Sequence, residues 1–392
     1  MSDRYLFFYI AALIFAGALF SLSLPLYLTQ RIGVAHYYFF VRQGVYACVS
    51  LFLIWGLARL DPDRWASKIG FGLFFFFLAL MACMPFMPET VVPTINGARR
   101  WIRFGSLSIT PAEFFKVGFV YFLAWSLTRK LYRPKTIKQQ FTFARELGAI
   151  APYMAIFVVA IILIAIMQND LGQVIVLGCT MSLMIFFAGS SVKVFGFLIG
   201  LSFLASFALI LQARHRIDRA LQWWSGAQDS ILSVLPDFIA EALRVDASSI
   251  SPAYQVTQAA RAIHHGGLMG TGLGSGVVKL GFLSDAHNDF ALAGIAEETG
   301  LFGIALVSLL ILLAIYRIFK IANRSDNPIF YLFSIGIGVM IASQFLMNAL
   351  GATGLIPIKG ISAPFLSYGG ASLTALSIAV GLVLMISKKA RL

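Results

Sequence analysis

Stretches of about 20 predominantly apolar residues, the length that crosses a bilayer as a helix, recur along the whole chain. They cover 5–28, 37–58, 67–88, 111–128, 149–168, 171–190, 192–213, 288–319, 328–350 and 364–387. Inside hydrocarbon every backbone N–H and C=O must be bonded within the protein, so runs of this length fold as helices. The expected fold class is therefore an all-α polytopic membrane protein with ten transmembrane helices. The composition agrees, with 59% hydrophobic residues, 12% charged residues and a mean hydropathy of +0.85. The run 5–28 is too long for a signal-peptide core and no small-residue cleavage pattern follows it, so it reads as a spanning helix. No internal repeat is visible, which argues against transporter folds built from inverted halves. The chain 1–392 reads as one integral-membrane domain, and 214–287 is its long loop between helices 7 and 8.

Ten spans place both termini on one side. On that side fall Arg4, Arg59, Arg64, Lys68, Arg129, Lys130, Arg133, Lys135, Lys138, Arg145, Lys193, Arg317, Lys320, Arg324, Lys388, Lys389 and Arg391, which is 17 of the 30 Lys and Arg residues. The positive-inside rule makes this the cytoplasmic side. The long loop is then extracytoplasmic, and Ser230 to Val245 within it carries apolar residues at helical spacing, as in an interfacial amphipathic helix. A net charge of +13 spread over short loops, without a soluble basic domain, speaks against nucleic acid.

Arg99, Arg100, Arg103, Arg214, Arg216, Arg219, Arg244, Arg261, Lys279 and Lys359 fall in or near outer segments against the usual bias, which points to a bound anion. A surface without function is the alternative. In LGFLSDAHNDFALAGIAEETG, residues 280–300, Asp289 and Glu297 are placed by helical spacing on one face running into the membrane. Burying a charge there costs roughly 2.5 to 3.5 kcal/mol, so a functional site outweighs simple helix capping, which could be the whole role of Asp285.

NGARRWIRFGSLSITPAEFFK, residues 96–116, sets a turn before Arg99, Arg100, Trp101 and Arg103. Pro111 then suits the first turn of a helix, with Glu113 and Lys116 paired at i, i+3. Trp101 alone could belong to an interfacial belt. Asp170, in QNDLGQ, reads as a helix cap. GGLMGTGLGSG, residues 266–276, has neither a preceding strand nor a following GK[ST], so its glycines serve close backbone approach rather than a nucleotide. Adjacent His264 and His265 lack a third ligand for metal. Cys48, Cys83 and Cys179 lie in apolar runs and read as packing residues. TGLIPIKGISAPFLSYGG, residues 353–370, holds Lys359 and Ser367 in broken backbone expected to border the same outer cavity.

NGARRWI with PAEFFK, QNDLGQ, YQVTQAARAIHHGGLMGTGLG, KLGFLSDAHNDF with AEETG, and PIKGISAPFLSYGG together resemble the SEDS family (shape, elongation, division and sporulation) over nearly the whole chain. These are ten-helix peptidoglycan glycosyltransferases, and the KL-x-FL-x-x-AH-x-D, AEE and KG forms resemble the FtsW branch more than RodA or SpoVE. Ser284–Asp285, Asn288, Asn169 and His264–His265 depart from the family's usual residues without removing a side chain held to be catalytic.

The resemblance implies polymerisation of lipid-linked disaccharide-peptide (lipid II) on the outer face of the bacterial cytoplasmic membrane, at the division septum. Asp289 would be the catalytic base, with Trp101, Glu113 and Lys116 also implicated. Arg99, Arg100, Arg103, Lys116 and Lys359 are candidates for the polyprenyl diphosphate. Asp170, His287, Glu297 and Ser367 complete the substrate-binding expectation. The implied partner is a class B penicillin-binding protein, a transpeptidase, among other division proteins. No nucleotide is implied; a divalent cation bridging the pyrophosphate and an acid stays open, without a convincing ligand set. The competing readings are a flippase for the same lipid and a non-catalytic division scaffold.

Overall fold

The computed structural model describes residues 3–95, 97–105, 107–131, 143–233, 236–245, 254–283, 285–357 and 360–390. Its helices are α1 (Arg4–Ser23), α2 (Leu26–Ile32), α3 (Tyr38–Arg59), α4 (Pro62–Cys83), α5 (Pro111–Lys130), α6 (Phe143–Ile161), α7 (Leu171–Phe187) and α8 (Val192–Leu211), followed by α9 (Arg214–Leu232), α10 (Asp237–Leu243), α11 (Tyr254–Gly266), α12 (Ala291–Asn323), α13 (Pro328–Ala352) and α14 (Gly370–Ser387). A two-stranded antiparallel hairpin, β1 (Ile102–Phe104) and β2 (Leu107–Ile109), carries Arg103 opposite Ser108.

Among the described residues eight helices are long and apolar enough to cross a membrane, α6 being continued by a π-helical turn over Ile162–Met167. The fourth and sixth apolar runs fold as α5 and α7. α5 carries the charges Glu113, Lys116, Arg129 and Lys130, and α7 is 17 residues long. α13 and α14 are the central staves, 72% buried over their apolar windows, whereas α8 is 17% buried and forms the rim. α14 packs against α3 and α5, α4 against α5, and α12 against α1, α11 and α13. Asp3 N donates to Ser387 Oγ at 3.0 Å, so the described ends of the chain meet at one end of the bundle.

Three expectations need correction. The amphipathic helix over Ser230 to Val245 is interrupted: α9 ends at Leu232, and Pro236, which has no N–H to continue a helix, stands at the start of the short α10. The eighth helix begins at Ala291, after a turn, and not at 288. Cys48 and Cys83 are exposed on the outside of the bundle and do not pack its core.

Candidate functional site

Asp289 lies in the turn before α12. Asp285, at φ 57, opens this turn, and its carbonyl accepts from Asn288 N and Phe290 N. The next three carbonyls with functional side chains beside them are each held from outside. His287 O accepts from Tyr368 N at 2.8 Å, Asn288 O from Ser367 Oγ at 2.6 Å, and Asp289 O from Asn348 Nδ2 at 2.8 Å. Asn348 also donates to Ile361 O at 2.6 Å, and Ser367 Oγ accepts from Ala363 N. The segment 361–368 and α13 therefore clamp the main chain while the Asp289 side chain projects from it. Gly360, at φ 66, lies over the site, where a Cβ would make van der Waals contact with Asp289 Oδ2 at 3.4 Å.

Burial of its surroundings pushes the Asp289 carboxyl up to about 7, reinforced by Asp285 and Asp170 and opposed by Arg100 and Arg219. These same interactions bring the four charged groups into one electrostatic neighbourhood. His287, packed against the rings of Phe39 and Tyr368, is lowered by burial against the pull of Asp285. It is consequently neutral near pH 7.

Arg100 is the link to the second constellation. Its Nε donates to Gln168 O at 2.7 Å, an Nη donates to Asn169 O, and the other Nη lies 3.4 Å from Asp170 Oδ2. Asp170 does cap α7, accepting from Gln173 N at 3.3 Å, and burial raises its pKa against the opposing Arg100. Gln173 donates to Glu113 Oε1 at 2.7 Å and accepts from Lys116 Nζ at 2.5 Å, and Lys116 pairs with Glu113 at 3.0 Å. Arg100, Asp170, Gln173, Lys116 and Glu113 thus form a chain from the 99–103 segment into the α5–α7 interface. Trp101 is half-buried, with the Arg100 guanidinium 5.9 Å from its ring.

Several proposed ligands are engaged inside the protein instead. Arg99 spends its guanidinium on the carbonyls of Pro85, Met87 and Val92. Lys116 is buried at 1% exposure between Glu113 and Gln173. Glu297 does not join Asp289, since that residue precedes the helix. Its fully buried carboxylate accepts from Val277 N and Val278 N and contacts His265 Nδ1 at 3.1 Å. Ser367 binds main chain. Arg103 is exposed on the hairpin, and Lys359 lies outside the described residues.

The glycine run explains itself against α12. That helix is broken at Gly300, at φ 66 and ψ −166. Thr271 N and Gly272 N donate to Glu297 O and Glu298 O, while Leu301 N and Phe302 N donate to Gly267 O and Leu268 O. A Cβ on Gly270 would fall 2.2 Å from Glu298 O, so only glycine permits this approach. Glu298 pairs with fully buried Lys279 and accepts from Ser23 Oγ at 2.7 Å.

Two residues of the site escaped sequence reasoning in their roles. Asn348, an amide in an apolar run, was the available signal for one. Arg216, which donates to Ala165 O and Asn169 Oδ1 and so ties α9 to the π-helical turn, carried only its unusual side of the membrane. Among the described residues no group of three or more His, Cys, Asp or Glu is placed to hold a metal.

The family described as "Cell cycle protein" (FtsW, RodA, SpoVE) matches residues 4–392. The chain is 44% identical to the probable peptidoglycan glycosyltransferase FtsW of Helicobacter pylori over 99% of its length and 98% of that protein. Its fold matches the rod shape determining protein RodA of Thermus thermophilus, D-to-A mutant, with a TM-score of 0.67 at 22% identity, covering 100% of this chain and 99% of that one. It also matches a chain of a peptidoglycan synthase complex described for its coordination of polymerization and crosslinking, with a TM-score of 0.71 at 23% identity, covering 99% and 98%.

Proposed function

Since the chain belongs to the FtsW/RodA/SpoVE cell-cycle family and is a multi-pass membrane peptidoglycan glycosyltransferase, we propose that it polymerises lipid II through Asp289 as the general base. The growing strand's polyprenyl pyrophosphate is the donor. The 4-hydroxyl of the acceptor sugar attacks the anomeric carbon, the bond to pyrophosphate breaks with inversion, and the hydroxyl proton passes to the Asp289 carboxylate. A base whose pKa lies near the working pH combines a useful ionised fraction with real proton affinity. The pyrophosphate leaves with its own charge, so no carboxylic acid is needed to protonate it.

The observation that carries this reading is the clamp on three successive carbonyls, which fixes a carboxyl of raised pKa within the electrostatic reach of Arg100 and Arg219. Of the cations considered at the outset, Arg103, Arg219 and Lys359 remain for the pyrophosphate, while Arg100, bonded to Gln168 O, Asn169 O and Asp170, ties the 99–103 segment to the start of α7. Arg99, Lys116 and Glu113 instead hold the scaffold.

An apolar cavity of about 670 Å³ is lined by Tyr38, Val41, Tyr46, Ile109, Phe114 and Gly370. We assign it to a polyprenyl tail. α5 and α7 complete ten spans, with both termini cytoplasmic and 214–287 outside. The Asp3–Ser387 contact supports the shared side of the termini. A class B penicillin-binding protein is the partner, and septal synthesis the setting. The test is reconstitution with that partner and labelled lipid II: wild type makes glycan and Asp289→Asn makes none. Equal polymer from the variant overturns the assignment, and lipid translocation without polymer would identify a flippase.

A further inference from the structure

A second cavity, of about 950 Å³, opens between the start of α1 and the end of α3, against α14. Arg4, Tyr5, Phe8, Trp55, Arg59 and Leu384 are among the residues lining it. It lies far from Asp289. Arg317, which pairs with Asp3 beside the cavity, is separated from the start of α12 by roughly 40 Å of helix at 1.5 Å per residue.

The Arg59 guanidinium carbon lies over the Trp55 ring, 3.6 Å from its centroid, with both side chains exposed. Stacking leaves the edge of the guanidinium, where its N–H donors point, turned away from the ring. The backbone beneath is fixed, because Lys388 Nζ donates to Arg59 O at 2.9 Å and to Leu60 O. Of the carboxylates nearby, Asp3 pairs with Arg317 and Asp63 with Lys389. Arg4 stands on the facing wall at the positive end of α1.

The surface running from this basic mouth is apolar and exposed, with Phe8 and Phe15 on α1 and Phe52 and Trp55 on α3. A cationic fork above an aromatic cleft matches a headgroup that is negative at one end and continuous with hydrocarbon at the other. Tyr and Trp suit such a boundary, where one end of the ring is wet and the other apolar.

We propose that this groove is a binding site for an anionic phospholipid, its phosphate held by Arg59 and Arg4 and its acyl chains laid along the aromatic walls. Interhelical basic pockets at a membrane surface recognise such headgroups. The site is separate from the glycan-polymerising centre and makes stability dependent on lipid composition.

The test uses the purified full chain in detergent, titrated with phosphatidylglycerol, phosphatidylcholine or soluble glycerol 3-phosphate. Bound lipid is counted by native mass spectrometry and the melting temperature is followed in parallel. Wild type is expected to bind and be stabilised by phosphatidylglycerol alone. Arg59→Gln is expected to weaken that binding about ten-fold, the loss of one charge-assisted phosphate contact. Trp55→Leu, which removes the stack but no charge, is expected to weaken it in the same direction. Arg64→Gln, an exposed arginine outside the groove, is the control and is expected to bind as wild type. Equal stabilisation by phosphatidylcholine or by glycerol 3-phosphate, undiminished binding in Arg59→Gln, or an equal loss in Arg64→Gln would each overturn the proposal.

Discussion

The side-chain amide of Asn348 joins the main-chain carbonyl of Asp289, at 2.8 Å, to that of Ile361, at 2.6 Å. One residue of α13 thereby sets the distance between the base and the segment in front of it. Asn348→Ala removes both donors and lets the turn shift without touching the reacting atoms. Displacement of about 1 Å costs on the order of 100-fold in rate. The expected result is a large fall in kcat with KM little changed, and a rise in KM at constant kcat would show that Asn348 binds substrate instead.

The pH dependence follows from the raised carboxyl. Asp289 acts as a base only when ionised, so polymerisation should rise with pH through about 7 and level off above it. Stability moves the other way. The folded chain holds this proton more tightly than the unfolded chain, whose carboxyl titrates near 3.8, so its contribution is full below that value and is lost as pH rises through about 7. Asp289→Asn should therefore flatten the stability profile between about 4 and 7. Melting curves over that range that slope identically for wild type and variant would argue against the raised value.

Gly360→Ala tests the close approach over the base. A left-handed residue with a Cβ is disfavoured by roughly 1–2 kcal/mol, and this Cβ would meet Asp289 Oδ2 at 3.4 Å. We expect activity to fall about ten-fold while the protein still purifies as a folded monodisperse species. An unchanged turnover would mean that the segment yields freely.

Lys116→Met separates scaffold from substrate binding. Removing one member of a buried ion pair costs roughly 3–5 kcal/mol, and here it strands Glu113 beside Gln173. Lys116→Met should lower the melting temperature strongly, and Glu113→Gln/Lys116→Met should recover most of the loss. If Lys116 instead met the pyrophosphate, KM would rise, the melting temperature would hold and the double variant would rescue nothing.

The apolar runs located the long helices because their length is a direct response to bilayer thickness, and Pro111, Glu113 and Lys116 announced the start of α5 by chemistry alone. Asp289 stood out for the same reason that a charge in hydrocarbon is expensive. Its company was harder to read. A 3.6-residue period paired it with Glu297, but the helix starts only at Ala291, and a turn erases the phase on which the pairing rested. Arginines were grouped by sign, yet sign does not reveal whether a guanidinium faces a carbonyl cage, as Arg99 does, or two carbonyls and a carboxylate, as Arg100 does. Such distinctions depend on contacts between segments distant in sequence.

The break at Gly300 divides α12 into a short piece that follows the Asp289 turn and a long piece leading away from it. The short piece takes its register from its own anchors, Glu297 on the 277–278 amides and Glu298 on Lys279 and Ser23. An extra residue inserted before Thr299 would wind the turn ahead of it by about 100° around the axis, at 3.6 residues per turn. Inserted well beyond Phe302, the same residue would spend its rotation in the lower stave. Changes of length there alter how the protein fits its bilayer and leave the orientation of Asp289 untouched.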